Sequence, residues 1–167
     1  KPDAIIVVGS YEASAGFIRD LRASGDATTV ANISFVGAQK VMSLLSAEPD
    51  FFSSNLVFSQ VVPDYNLTRL PAVKAYRQLV VSSESLKSTN FVGLEAYLNA
   101  TLLVAMMKKV PGEFSAANLR DTFKKTPSIS IGLTQSISFR QSNQAKLPVY
   151  LLEPVTNGFQ VIERVSK

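Results

Sequence analysis

Short continuous apolar runs alternate with longer-period apolar stripes along the first third of the chain. Ala4-Ile5-Ile6-Val7-Val8 is rich in β-branched residues and ends at Gly9-Ser10, which predicts a strand buried on both faces of a parallel sheet. From Tyr11 to Ser24 the period lengthens. Ala13, Phe17, Ile18 and Leu21 fall on one side, Arg19, Asp20 and Arg22 on the other, and Gly25 supplies a stop, so an amphipathic helix of about four turns is expected. Thr28 to Ile33 predicts a second strand, Gly37 to Ser46 a second helix with Val41, Leu44 and Leu45 inward, and Asn55 to Val62 a third strand halted by Pro63. Strand and helix alternating with short connections argue for an α/β sheet with right-handed crossovers.

The middle of the chain is helical by period. Pro71 suits a first helical position, and Val73, Tyr76 and Leu79 give that helix an apolar side as far as Val81. Ser82 to Asn90 is a polar, serine-rich connection. Phe91 to Val110 carries Phe91, Leu94, Leu98, Leu102, Ala105 and Met106 as a stripe, widened by Tyr97, Leu103 and Met107, and so broad an apolar surface requires cover on more than one side. After Pro111-Gly112, Ser115 is placed to cap a further helix, with Asn118 three residues on and Leu119 and Phe123 facing inward before Pro127. The remaining residues read as strands: a loose alternation from Ile129 to Phe139, a run at Pro148 to Leu152, and Phe159 to Val165 after the hairpin signal Asn157-Gly158. There is neither an internal repeat nor a low-complexity tract.

Composition removes whole classes of chemistry. The 167 residues contain no Cys and no His, which excludes disulfides, thiolate metal sites, thiol nucleophiles and a Ser-His-Asp triad. The length alone would suit one domain. The net charge of +4 arises from scattered residues: residues 1–83 carry seven of each sign, and residues 84–167 carry ten basic and six acidic. A solvated surface explains that better than a nucleic-acid footprint. No apolar run is long enough to span a membrane, and Lys1-Pro2-Asp3 leads directly into a strand rather than a signal peptide, so a mature or trimmed form is expected.

No phosphate-binding loop is present, and Gly9-Ser10-Tyr11-Glu12-Ala13-Ser14-Ala15-Gly16 lacks the glycine spacing of a dinucleotide site, so no cofactor is implied. The carboxylates Glu12, Glu95, Glu113 and Asp121 fall in separate elements and form no catalytic pair by spacing. Three glycosylation sequons, at Asn32, Asn66 and Asn99, are best explained by chance, since Asn32 ends a strand and Asn99 lies in a helix. What remains is binding. Ligands of open parallel sheets sit beyond the carboxyl ends of strands, where Gly9-Ser10-Tyr11 and Ser34-Phe35-Val36-Gly37 each combine a small residue, a hydroxyl and an aromatic ring. A structural alternative stands beside this: Ser10 and Ser34 as helix caps, Tyr11 and Phe35 as staples or core.

An ordered series of short stretches resembles the C-terminal part of type I periplasmic binding proteins, in the branched-chain amino acid (Leu/Ile/Val) group of ABC-transporter substrate-binding proteins. The stretches are Pro2-Asp3-Ala4-Ile5-Ile6-Val7-Val8-Gly9 with the Phe17-Ile18-Arg19 helix, then Ser34-Phe35-Val36-Gly37. They continue with Val57 to Pro63, Leu70 to Tyr76, Gly93-Leu94-Glu95-Ala96-Tyr97, Val149-Tyr150-Leu151-Leu152 and Asn157-Gly158-Phe159. The resemblance implies an α/β fold of Rossmann-like parallel sheets with flanking helices and two lobes enclosing a small ligand in a cleft. Residues 1–62 and 146–167 would belong to the second lobe and residues 64–145 to the first.

It also implies solute capture outside the cytoplasm, in the periplasm or on a lipid anchor, and delivery to an ABC permease, with no reaction catalysed. Gly9, Ser10, Tyr11, Glu12, Ser34 and Phe35 would line the ligand site. Relatives that bind amino acids often carry an acid near the position of Ser34 to pair with the ligand's ammonium group. Here Glu12 would have to substitute, or the ligand would be a carboxylate-bearing or aromatic molecule. The family's N-terminal half has no counterpart, so a truncated product, or one that recovers its core by self-association or by pairing with that half, is expected. Two rival functions share the sequence: the ligand-binding sensor domain of a receptor with this fold, and an α/β enzyme with an unrecognised site.

Overall fold

A computed structural model of the chain describes residues 2–49, 53–86, 88–139, 147–156 and 158–165. The expected lobe boundary at residues 145 and 146 and the turn residue Asn157 lie outside them. The chain divides into two compact units, Lys1–Pro63 with Pro148–Ser166, and Asp64–Leu147.

In the first unit the expected alternation is present. β1 (Ala4–Val7), α1 (Tyr11–Ala23), β2 (Thr29–Asn32), a 3-10 turn (Ser34–Val36), α2 (Ala38–Leu45) and β3 (Leu56–Gln60) follow one another, and β6 (Val149–Val155) and β7 (Gly158–Val165) close the chain as an antiparallel pair. The sheet order is β1-β2-β3-β6-β7, with β1, β2 and β3 parallel and β6 antiparallel to β3. Because the parallel strands advance in one direction, right-handed crossovers place α1 and α2 on the same face. That face carries the core: Val30, Leu56, Phe58 and Leu152 from the strands, Ala15 and Ile18 from α1, Val41 and Leu45 from α2. The Phe58 and Phe159 rings meet edge to face at 5.7 Å.

Two expectations fail here. β1 is not buried on both faces. It is the edge strand, its residues alternate between exposed and half-buried, and Ile6 is 74% exposed. The face opposite α1 and α2, with Ala4, Ile6, Ala31 and Val57, has no described layer burying it, although parallel sheets are ordinarily covered on both sides. The stripe of α1 is also turned: Ser14, Ala15, Ile18 and Arg22 are buried, while Ala13 and Phe17 face solvent. The reason is Arg22. Its guanidinium donates to the Asp26 carbonyl at 2.8 Å and the Ser54 carbonyl at 3.0 Å, stitching α1 to the segment before β3, so a residue expected on the polar side is drawn in. Burial lowers its pKa, and the neighbouring Asp26 carboxylate opposes that.

The second unit comprises α3 (Pro71–Ser82), α4 (Phe91–Met107), α5 (Ala116–Lys125) and a short ribbon of β4 (Ser128–Ile129) with β5 (Ile137–Ser138). Pro71 opens α3, and Val73, Tyr76 and Val80 face inward, whereas Leu79, expected inward, is exposed. The Ser115 hydroxyl accepts from Asn118 N–H at 3.1 Å, as its position predicts. The α4 stripe is buried at Phe91, Leu94, Leu98 and Met106, but Val92, Leu103, Val104 and Met107 remain exposed on the same helix. Breadth of apolar surface was the expectation, and the described part of the unit covers only one side of it.

Candidate functional site

Pairing of Val7 with Asn32 and of Asn32 with Phe58 sets the carboxyl ends of the three parallel strands side by side. The segment Gly9-Ser10-Tyr11-Glu12 leaves β1 two residues beyond this row, and Ser34-Phe35-Val36-Gly37 leaves β2 likewise, so the two loops share one edge of the sheet. The N-terminus of α1 is thereby presented at that edge.

Ser10 is the N-cap of α1, in extended backbone, and its hydroxyl accepts from Ala13 N–H at 3.3 Å. The structural role proposed for it is therefore real. Tyr11 and Phe35 are a different matter. Tyr11 is 38% and Phe35 65% exposed, so neither ring serves as core. Ser34 lies inside the 3-10 turn; the cap of α2 is Gly37, whose φ of 81° suits a residue without Cβ, and Ser34 does not cap that helix.

Glu12 carries the charge of this edge. Its carboxylate accepts from its own backbone N–H, which holds its pKa below the ordinary 4.5; partial loss of water opposes this, and hydrogen bonds from Tyr11 and Ser10 and the charge of Lys40 reinforce it. The Tyr11 phenol, donating to Glu12 beside a negative charge, is pushed above 10.0. Lys40 belongs to the first turn of α2. The arrangement offers an anion at Glu12 and two exposed aromatic rings. It can orient a small polar molecule. Among the described residues no cluster of acidic groups suited to a metal ion occurs.

Sequence reasoning passed over Asn32 and Gln60 as site residues. They are the last residues of β2 and β3, and both side chains are buried on the helix-covered face. The signal was available: an amide ending each of two strands, on the face whose other residues, Val30, Leu56 and Phe58, are apolar. Two open concavities, of about 630 Å³ beside Arg120 and Phe123 and about 490 Å³ beside Lys74 and Val81, belong to the second unit and involve none of the expected site residues.

No family profile and no curated protein matches the sequence. Solved structures do. A possible leucine/isoleucine/valine-binding protein from Rhodopirellula baltica SH 1 superposes with a TM-score of 0.86 at 27% identity, over 97% of this chain and 43% of that one. A branched-chain amino acid transporter substrate-binding protein from Streptococcus pneumoniae, solved with isoleucine, matches at a TM-score of 0.66 and 19% identity over 99% of this chain and 44% of its own. A fatty acid ABC transporter substrate-binding protein from Thermomonospora curvata matches at 0.76 and 15% over 98% and 43%. At identities of 19% and 15% the likeness is one of fold. The chain spans less than half the length of each of these structures. It thus has the α/β fold of the type I periplasmic substrate-binding proteins of ABC transporters, the leucine/isoleucine/valine-binding proteins among them, and the partial coverage agrees with a C-terminal part of such a protein.

Proposed function

We propose that this chain is part of an extracytoplasmic solute-binding protein that captures a small molecule, an amino acid or a small carboxylate or aromatic acid, for an ABC permease. The observation that carries the reading is the pair of solvent-exposed rings, Tyr11 beside Glu12 and Phe35 in the neighbouring loop, at the carboxyl edge of a parallel sheet. Ligand sites are commonly lined by aromatic side chains with a few polar groups that orient the ligand, and this edge provides both. Gly9, Ser10, Tyr11, Glu12, Ser34 and Phe35 form one wall of the site, with Glu12 facing a ligand ammonium group. The first unit corresponds to the second lobe of such a protein and the second unit to part of the first. Binding without catalysis fits a wall built from hydroxyls, rings and one carboxylate. The delivery role places the protein outside the cytoplasm; no helix among the described residues is long and apolar enough to cross a membrane.

The open sheet face around Ile6 and the exposed side of α4 are completed by further polypeptide equivalent to the remainder of the neighbouring structures' chains. The area to be covered lies in both units, and the matched structures are each more than twice as long as this chain.

A thermal-shift panel of amino acids, aromatic acids and small carboxylates on the protein carrying this chain tests the function. A ligand at 100 times its Kd adds about 2.7 kcal/mol, enough for a clear rise in Tm. A panel that shifts nothing removes the support for solute capture. Light scattering on the 167-residue chain alone tests the completion: we expect association above the 18.1 kDa monomer, reduced by Leu103→Lys. A stable monomer would show that these faces need no cover.

A further inference from the structure

Among the described residues, the buried side-chain nitrogen and oxygen atoms without a hydrogen-bond partner are Ser14 Oγ, Arg22 Nε, both amide atoms of Asn32, Gln39 Nε2 and Gln60 Nε2. Of these, the amides of Asn32 and Gln60 are neighbours in the sheet, and Ser14 and Gln39 belong to the first turns of the two helices that follow β1 and the 3-10 turn. Asn32 ends β2 and Gln60 ends β3; Asn32 pairs with Phe58, so Gln60, two residues further on, is its diagonal neighbour on the same buried face. Ser14 is in the first turn of α1, on the flank that packs against the sheet, and its Oγ would lie 3.8 Å from a Cβ at Gly9. Gln39 is in the first turn of α2. Ser14 is 0%, Asn32 2% and Gln60 1% exposed, so bulk water does not reach them.

A folded protein ordinarily pairs its buried polar groups, and amides left over in one spot point to a guest. All four groups are uncharged, and Asn32 offers both a donor and an acceptor, so the guest must both donate and accept and need not carry charge. Buried waters meet this description, each typically making about three hydrogen bonds to groups of this kind.

We propose that Ser14, Asn32, Gln39 and Gln60 form a buried site for an uncharged hydrogen-bonding guest, ordered water in the free protein, beneath the loops that follow β1 and β2. The site rests on the burial of these groups and on the register of β2 with β3, and does not depend on solute capture. Its consequence for capture is positional: it braces the backbone that carries Ser10, Tyr11, Ser34 and Phe35.

Cross-relaxation between long-lived water and the side-chain amide protons of Asn32 and Gln60, measured by NMR on the protein carrying this chain, reads the guest directly. We expect cross-peaks to at least one of the two amides; their absence from both overturns the proposal. Titration with L-leucine separates the sources. Cross-peaks that persist identify structural water, and cross-peaks lost at saturation identify a guest whose place the solute's own polar group takes. Asn32→Leu and Gln60→Met give an independent readout. Removing one amide strands the others, so each variant lowers Tm, by about 2–8 °C. A rise in Tm in either variant shows that the amides were unpartnered and overturns the proposal.

Discussion

Tyr11 and Glu12 are adjacent in sequence and titrate as partners. Glu12 sits below its ordinary 4.5, so its contribution to stability is present above that value and is lost as pH falls through the lowered, folded-state value. Tyr11 sits above 10.0, so its contribution is present below that value and is lost as pH rises through the raised one. Both groups are exposed, and the test is therefore spectroscopic rather than calorimetric. In Glu12→Gln the phenol loses a charged acceptor, and an ultraviolet titration should show the Tyr11 pKa moving back toward 10.0. An unmoved phenol would separate the two groups. At this scale Ser10 was legible, because capping depends on local spacing. Arg22 was not: its burial is decided by the carbonyls of Asp26 and Ser54, and Ser54 is thirty-two residues away in the chain. The choice between core and surface for Tyr11 and Phe35 also depended on the fold, since the same ring can serve either role.

Helices and strands were legible because period survives without knowledge of neighbours. The parallel strands, the Pro71 start of α3 and the Ser115 cap all follow from local pattern. What failed was the environment of each element. An apolar run such as Ala4 to Val8 reads as doubly buried, yet β1 is at an edge, because burial is a property of the layers and not of the strand. Gly132 shows the reverse, a tight contact that sequence does not announce. Its φ is 84°, and a Cβ there would lie 2.8 Å from the Ala72 backbone nitrogen, whose N–H donates to the Gly132 carbonyl at 3.1 Å. Gly132→Ala should therefore cost about 1–3 kcal/mol in denaturant unfolding, from strain at positive φ and displacement of the start of α3. A loss below a few tenths would mean that this loop relaxes freely.

For the whole molecule, the 167 residues that would suit one domain instead form two units, each with apolar surface uncovered. The chain covers 43–44% of the matched structures, which supports the proposal that this surface is completed by further polypeptide. The proposed function is concentrated at the carboxyl edge of the first unit's sheet, where Tyr11, Phe35 and Glu12 are exposed and the Asn32 and Gln60 amides are buried. Solute capture by that edge is the central claim. Isothermal titration calorimetry of the protein carrying this chain, with L-leucine, L-isoleucine, a fatty acid and an aromatic acid, tests it most directly. The account predicts saturable one-to-one binding of at least one of them, weakened tenfold or more by Tyr11→Ala or Phe35→Ala, with little loss of stability because both rings are exposed. Affinity unchanged in both variants, or no binding by any of the four, would contradict it.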